Sequence, residues 1–225
     1  MSPSTWFTGQ CAIDGSKMEN FAPNLFECPN CSLISADYPA LPELYDEYYL
    51  ETYRKLAQAP LSDLLMRCRW GLVRRHLNGH KTLLDYGTGT GAFLENAMRP
   101  GDLSVKGYDV NPASPFSRVM IDHLRPDVLT MFDVVEHLTD PKGVIEKIHP
   151  RLLTISTPNV DFVDTKNLPT WRHFKPGEHL HYFGQKALTA LMRSTGFAVE
   201  EMSFTEAAKR NPDRPFDIIT MVGAR

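Results

Sequence analysis

Lys81-Thr-Leu-Leu-Asp-Tyr-Gly-Thr-Gly-Thr-Gly-Ala-Phe-Leu-Glu95 decides how the rest of the chain is read. A short apolar run, Thr82 to Leu84, ends on Asp85 and breaks at once into Gly87, Gly89 and Gly91, as a buried parallel strand does when it enters a tight loop. Ala92, Phe93, Leu94, Ala97 and Met98 then open a helix. Glycine permits positive φ in such a loop and removes the side chains that would keep a ligand from the backbone N–H groups at the helix start. Any tight strand-to-helix turn uses glycine, so the loop alone does not name a ligand.

Two chemistries compete for this spacing. Gly87-x-Gly89-x-x-Ala92 satisfies the relaxed dinucleotide pattern of a nicotinamide-dependent dehydrogenase. Against that, Asp85 stands two residues before the first glycine, and Gly91 extends the loop to Gly-x-Gly-x-Gly. In this the sequence resembles the class I S-adenosylmethionine-dependent methyltransferases, whose first motif is an acidic residue, one spacer, then Gly-x-Gly-x-Gly. The resemblance implies that Asp85, Tyr86, Gly87, Gly89 and Gly91 bind the cofactor, with the glycine loop facing its methionine portion.

Asp102-Leu-Ser-Val-Lys-Gly-Tyr-Asp-Val-Asn-Pro112 reads as a second strand ending at Asp109. About twenty positions after the glycine loop is where a nucleotide-binding sheet sets a carboxylate against the ribose hydroxyls. Asp109 fits that place, a solvated strand-end aspartate being the alternative, and Val110 would then lie beside the adenine. Little room for a helix remains between Asn111 and Val119. Arg118-Val-Met-Ile-Asp122 is expected as an abbreviated third strand with Asp122 near the adenine amino group.

Asp127-Val-Leu-Thr-Met-Phe-Asp-Val-Val-Glu-His-Leu-Thr-Asp-Pro141 is the second signature. An apolar strand from Val128 to Met131 leads into Phe132-Asp-Val-Val-Glu-His-Leu138, and Asp140-Pro141 restarts a helix. This resembles the fourth strand and its exit in the ubiquinone-biosynthesis type of methyltransferase. The resemblance implies that Phe132 and Asp133 meet the cofactor, and that His137 points to the mouth of the site or caps the helix.

Arg151 to Asn159 makes a fifth strand that turns out at Thr157-Pro158-Asn159. Between Val160 and Phe183 the chain interleaves Trp171, His173, Phe174, His179, His181, Tyr182 and Phe183 with Pro and Gly, a composition suited to a substrate lid at the carboxyl edge of a parallel sheet. Glu178-His-Leu-His-Tyr-Phe183 again resembles the same family, which often carries Glu-His-x-x-x-Phe before its next helix. An imidazole titrates near neutrality, so His181 and His179, then His137, are the candidate bases. Buried structural histidines are one alternative; a His-Leu-His metal pair, with no third ligand obvious nearby, is another. Gly184 to Thr195 follows as a helix, and Phe197–Phe204 and Phe216–Val222 are the last strands, linked through Pro212 and Pro215 as an antiparallel hairpin.

Upstream, Cys28-Pro-Asn-Cys31 has zinc-knuckle spacing, and Cys11-Ala-Ile-Asp14 offers a second pair with Asp in place of Cys. Many methyltransferases of this kind begin with a cysteine ribbon, then Leu, Pro and a tyrosine-rich helix, and Cys11 through Leu33, Pro39 and Tyr45 to Tyr53 look similar. A carboxylate can ligate zinc, so Cys11, Asp14, Cys28 and Cys31 are candidate ligands of a structural zinc; a ribbon that has lost its metal is the other reading. Tyr45, Tyr48, Tyr49 and Tyr53 form an amphipathic face, and the resemblance implies that one or two of them line the site. Leu64, Leu65, Cys68, Leu72 and Val73 stripe a core-facing helix from Leu61 to His76, ended by Asn78-Gly79.

The 225 residues accommodate one α/β core with a small appendage. A net charge of -3 and a pI near 6.2 disfavour a general nucleic-acid binder. No apolar run approaches the roughly 18 residues of a membrane span, and Met1 to Phe7 lacks the basic and apolar regions of a signal peptide. A cytoplasmic protein is therefore expected, with its four cysteines as thiols or ligands rather than disulfides.

The resemblance runs from Cys11 to Gly223 and implies a Rossmann-like α/β fold: a seven-stranded, mostly parallel sheet with an antiparallel last strand, plus the small cysteine ribbon. The expected divisions are a ribbon over 1–40, a helical cap over 41–80, and a cofactor-binding domain over 81–225 with a lid at about 160–183. The implied activity is in-line transfer of the sulfonium methyl to a small-molecule or glycan acceptor, expected as O-methylation with a histidine base. A nucleic-acid methyltransferase gripping RNA or DNA with the ribbon, a silent cofactor-binding scaffold, and a dehydrogenase are the rivals. Lys17 is the one basic residue of the ribbon, which favours the small acceptor.

Overall fold

Near-continuous apolar strands belong to a parallel sheet covered on both faces, and Val128–Phe132 and Leu152–Pro158 are buried at every position. The computed structural model describes residues 6–39, 51–52, 54–55, 59–98, 103–112, 114, 116, 121 and 124–225. Within these, β4 (Thr82–Tyr86), β5 (Ser104–Tyr108), β6 (Val128–Phe132), β7 (Leu152–Pro158), β9 (Ala198–Ser203) and β10 (Ile218–Ala224) form a six-stranded sheet in the order β5-β4-β6-β7-β10-β9. The pairs among β5, β4, β6 and β7 are parallel, and β10 runs antiparallel to both β7 and β9. Arg118–Met120 and Asp122 of the expected third strand lie outside the described residues, as do Tyr45, Tyr48, Tyr49 and Tyr53.

Among the described residues, helices α1 (Pro60–Arg75), α2 (Ala92–Met98), α3 (Pro141–Ile148), α4 (Gln185–Ser194) and α5 (Thr205–Arg210) pack on this sheet. Pro141 opens α3 at a position where its missing N–H costs nothing, and Asp140 caps it by accepting from Gly143 N at 2.8 Å. On one face Leu72 and Val73 of α1 and Phe93, Leu94 and Ala97 of α2 bury against Leu83, Val128 and Leu152. On the other, Ile145, Ile148, Leu188, Leu191 and Met192 cover Leu129, Met131, Ile155 and Met221. Full burial of each such side chain contributes about 1.5–3 kcal/mol.

A second, four-stranded antiparallel sheet joins β1 (Glu19–Ala22), β2 (Leu25–Glu27) and β3 (Ile34–Ala36) to β8 (His181–Tyr182). The cysteine ribbon thus shares a sheet with the segment expected as the substrate lid. Cys11, Cys28, Cys31 and Leu33 sit in the same apolar cluster as Phe183 and Leu188.

Two expectations require correction. Leu64, placed on the buried stripe of α1, is 41% exposed, while Arg69 is buried. The last two strands are not joined by a plain hairpin: α5 intervenes, built from Thr205-Glu-Ala-Ala-Lys-Arg210. Two alanines with an acid in the first turn and bases in the last suit a short helix, and that signal outweighs the prolines at 212 and 215.

Candidate active site

Strand order reverses between β5-β4 and β6, so the crevice at the carboxyl ends of β4 and β6 is the topological switch point where open α/β sheets bind ligands. The glycine loop fills one side of it. Gly87 has φ +78°, and a Cβ there would fall 2.3 Å from Val134 Cγ2, so the loop is pressed against the exit of β6. Gly89 also has positive φ, but a Cβ on it would meet nothing within 4 Å. Asp109, just beyond β5, accepts from Gly89 N at 2.6 Å and from Asn111 N at 2.8 Å. Val110 beside it is 68% exposed. Glycine loop and acidic strand end are therefore brought together, as their spacing in the sequence requires.

Beneath the loop, Asp85 is buried and accepts from Thr130 Oγ1 at 2.7 Å. Burial pushes its carboxyl up to about 7, against the lowering pull of that hydrogen bond. Tyr86 packs its ring 4.8 Å from Tyr108, and burial raises its hydroxyl to about 12. Neither residue signals these contacts in sequence, because Thr130 and Tyr108 come from neighbouring strands.

Phe132 and Asp133 lie across the crevice, under two arginines. Asp133 adopts φ +57° at the strand exit and receives Arg69 Nη2 and Arg210 Nη2, each at 2.6 Å. Glu206 closes the network by accepting Arg69 Nε at 3.0 Å and Nη2 at 2.5 Å, and by pairing with Arg210. The Arg69 guanidinium also lies 4.6 Å above the Phe132 ring. Burial opposes ionisation of Asp133, but the Arg210 and Arg69 charges hold its carboxyl far below the usual carboxylate range. Arg69, Glu206 and Arg210 escaped the sequence reading because they sit on helices separated by more than a hundred residues.

The three histidines divide. His137, in the 3-10 turn Val135–His137, donates Nδ1–H to Glu178 O at 2.8 Å and faces His179 edge-on with ring centroids 4.7 Å apart. Glu136 beside them receives Thr157 Oγ1–H at 3.0 Å, and burial together with the Asp133 charge pushes its carboxyl up to about 8. Burial lowers His179 to about 3, aided by His137. His181 lies elsewhere: it is buried at the β3–β8 pairing, its Nδ1 2.9 Å from Ser35 Oγ and its ring 5.3 Å from Trp6. Burial brings it down to about 4.

In the ribbon, two loops repeat one geometry. Gly15 N donates to Cys11 O and Ser32 N to Cys28 O, both at 2.9 Å, and residues 15 and 32 both have positive φ. Cys11 Sγ and Cys31 Sγ stand 3.6 Å apart, and Cys28 Sγ lies 3.8 Å from each carboxylate oxygen of Asp14. The ligand atoms of Cys11, Asp14, Cys28 and Cys31 all fall within 4.8 Å of one another, and no cysteine is disulfide-bonded. Burial opposes it, yet hydrogen bonds from Ser16 bring the Asp14 carboxyl down to about 2.

A mostly parallel sheet with this order, an acidic glycine loop at its switch point and an acidic second strand end define a Rossmann-like methyltransferase. A methyltransferase-domain family matches residues 53–202; the chain belongs to that family and is an S-adenosylmethionine-dependent methyltransferase. Among solved structures it is similar to magnesium protoporphyrin IX methyltransferase from Synechocystis PCC 6803 with bound S-adenosylhomocysteine, at 13% identity and TM-score 0.58 over 81% of this chain and 97% of that one. It is similar also to Burkholderia thailandensis 1,6-didemethyltoxoflavin-N1-methyltransferase, at 15% identity and TM-score 0.58 over 93% and 99%. The small RNA methyltransferase HEN1 matches at 19% identity and TM-score 0.51, over 71% of this chain and 25% of that one. No curated protein matches the chain significantly. Among the described residues no helix is long and apolar enough to cross a membrane.

Proposed function

We propose that the chain transfers the methyl group of S-adenosylmethionine to a hydroxyl of a small molecule or glycan at the carboxyl edge of β4, β6 and β7. The observation that carries the reading is the Asp109 carboxylate held on Gly89 N at the switch point. A carboxylate offers about four lone-pair sites, so Asp109 keeps acceptor capacity for the two ribose hydroxyls while bracing the loop. Val110 is open for adenine, Gly89 leaves room for the methionine arm, and Phe132, under its arginine, walls the crevice. Asp85 and Tyr86 shape the loop from below, and Asp133 acts on the cofactor side through Arg69 and Arg210.

The acceptor's proton is assigned to the Glu136–His137–His179 group, with His179 and His137 ahead of His181, whose Nδ1 faces Ser35 in the ribbon sheet. The small-acceptor reading is supported by the net charge of -3. Fold relatives acting on magnesium protoporphyrin IX and on a didemethyltoxoflavin agree with it, while HEN1 represents the RNA alternative.

The ribbon fits a structural zinc. Zinc bonded at about 2.3 Å to thiolates in a tetrahedron spaces them by about 3.8 Å, close to the 3.6 Å between Cys11 and Cys31. Cys11, Cys28 and Cys31 would supply thiolates and Asp14 a carboxylate, tying residues 11–31 together without touching the reaction.

The test is calorimetric titration of the protein with S-adenosylhomocysteine, followed by release of that product across hydroxylated small molecules, glycans and short RNAs. Binding followed by turnover on a small hydroxylated acceptor is expected. Absence of binding sinks the cofactor reading, and turnover confined to RNA overturns the acceptor class.

A further inference from the structure

Three side chains at the exit of β6 and the end of the 160–183 segment converge without satisfying one another. Glu136, 2% exposed, uses one oxygen to accept from Thr157 Oγ1, and its Oε1 is buried with no hydrogen bond. His179, 4% exposed, likewise buries Nδ1 with no hydrogen bond. His137 commits Nδ1–H to the Glu178 carbonyl, and its Nε2 stands 3.9 Å from Glu136 Oε1. The ligand atoms of the three residues all lie within 4.8 Å of one another. Two unmet buried polar atoms on neighbouring side chains of one small cluster are unusual in a folded protein.

We propose that Glu136, His137 and His179 hold a divalent first-row transition-metal ion. Two imidazoles and one carboxylate suit such an ion, and three protein ligands leave coordination positions open. The bonds that orient the ligands already exist: a backbone carbonyl fixes the His137 tautomer and Thr157 holds the second oxygen of Glu136. Side-chain rotations bring the donors to the roughly 2.0–2.2 Å bond lengths of such a site. The site is distinct from the cysteine ribbon, which offers thiolates.

This inference deepens the reaction proposed above and rests on it for the substrate class. An acceptor with two adjacent oxygens, such as a vicinal diol or catechol, would chelate the ion through its open positions. Coordination lowers the pKa of a bound hydroxyl, so with the ion in place Glu136, His137 and His179 act on that proton through the metal, and it passes to water instead of to a histidine. The resulting oxyanion attacks the methyl carbon, the new C–O bond forms as the C–S bond breaks, and S-adenosylhomocysteine leaves as a neutral thioether.

Manganese separates this site from the ribbon, because soft thiolates select against it. Full-length protein, stripped of metal with a chelator that is then removed, is titrated with manganese(II) chloride, and free ion is counted by electron paramagnetic resonance. One manganese per chain is expected in the wild type and in Cys28→Ser, with affinity at least tenfold weaker in Glu136→Gln and in His179→Gln. A wild-type chain that binds S-adenosylhomocysteine but takes up neither manganese nor any zinc beyond that lost in Cys28→Ser overturns the proposal. Undiminished uptake in both site variants overturns it too. The decisive measurement is made on the wild type, so a misfolded variant cannot mask the answer. Loss of S-adenosylhomocysteine binding would instead refute the cofactor reading.

Discussion

Asp85 gives the sharpest quantitative test of how this site is built. Burial lifts its carboxyl from an ordinary 3.8 to about 7, while the Thr130 hydrogen bond and the Arg69 charge pull the other way. In the unfolded chain an aspartate titrates near 3.9. The folded protein therefore keeps a proton that the unfolded chain gives up. This contribution to stability is fully present below about pH 4 and is lost as pH rises towards about 7. With roughly 1.4 kcal/mol per pH unit over a gap of roughly three, the loss is bounded by about 4 kcal/mol, and about 2–4 is expected once local relaxation is allowed. Asp85→Asn preserves shape and an oxygen to accept Thr130 Oγ1, and it does not titrate. Urea unfolding of wild type and variant at pH 4.5, 5.5, 6.5 and 7.5, without cofactor and with chelator, isolates the effect, because Glu136 is common to both proteins. The variant should gain on the wild type at each step and end about 2–4 kcal/mol ahead of its starting difference. A difference that stays flat within about 0.5 kcal/mol would mean that the folded carboxylate ionises like an exposed one, and the desolvation argument would fall.

Asp109→Ala should weaken S-adenosylhomocysteine binding by about 1.5–3 kcal/mol in calorimetry, the range for hydrogen bonds to a charged group; unchanged affinity removes Asp109 from the site. Gly87→Ala places a methyl 2.3 Å from Val134 Cγ2 at φ +78°, so overpacking and backbone strain together should cost about 2–4 kcal/mol in urea unfolding. Glu206→Ala strips a buried partner from Arg69 and Arg210, and a loss of about 3–5 kcal/mol is expected; a near-neutral result would show that Asp133 alone compensates both arginines. Cys28→Ser should remove about one equivalent of zinc and lower the melting temperature while leaving S-adenosylhomocysteine affinity intact, and protein made with zinc that contains none leaves the ribbon without a metal.

What was legible in the sequence is what local chemistry dictates. Gly87, Gly89 and Gly91 after an apolar run, Asp109 at the next strand end, and the continuous apolar stretch from Val128 to Phe132 each announce their geometry through neighbours in the chain. Asp140-Pro141 announces a helix start for the same reason. The Arg69–Asp133–Arg210–Glu206 network was not legible, since charged residues on helices read as solvated faces unless their partners are known. Asp133 illustrates the limit: its place at the β6 exit followed from the motif, but its two guanidinium partners did not. His179 and His181 show another. Two residues apart in the Glu178–Phe183 segment, they are sorted by contacts to His137 on one side and to Ser35 on the other, and Ser35 lies in the amino-terminal ribbon.

The strand pairing between β3 and β8 also bears on how the chain is made. Ser35 and His181, joined across it, are separated by 146 positions, a contact range that slows folding because so long a loop must close first. At synthesis rates of about 5–20 residues per second, roughly 7–30 s pass between the translation of β3 and that of its partner. During that interval it is an open strand edge, the kind of surface on which a second nascent chain can dock and exchange. The short loops around Cys11 and Cys28 close on themselves much earlier. The cysteine ribbon is thus synthesised well before the strand that completes its sheet.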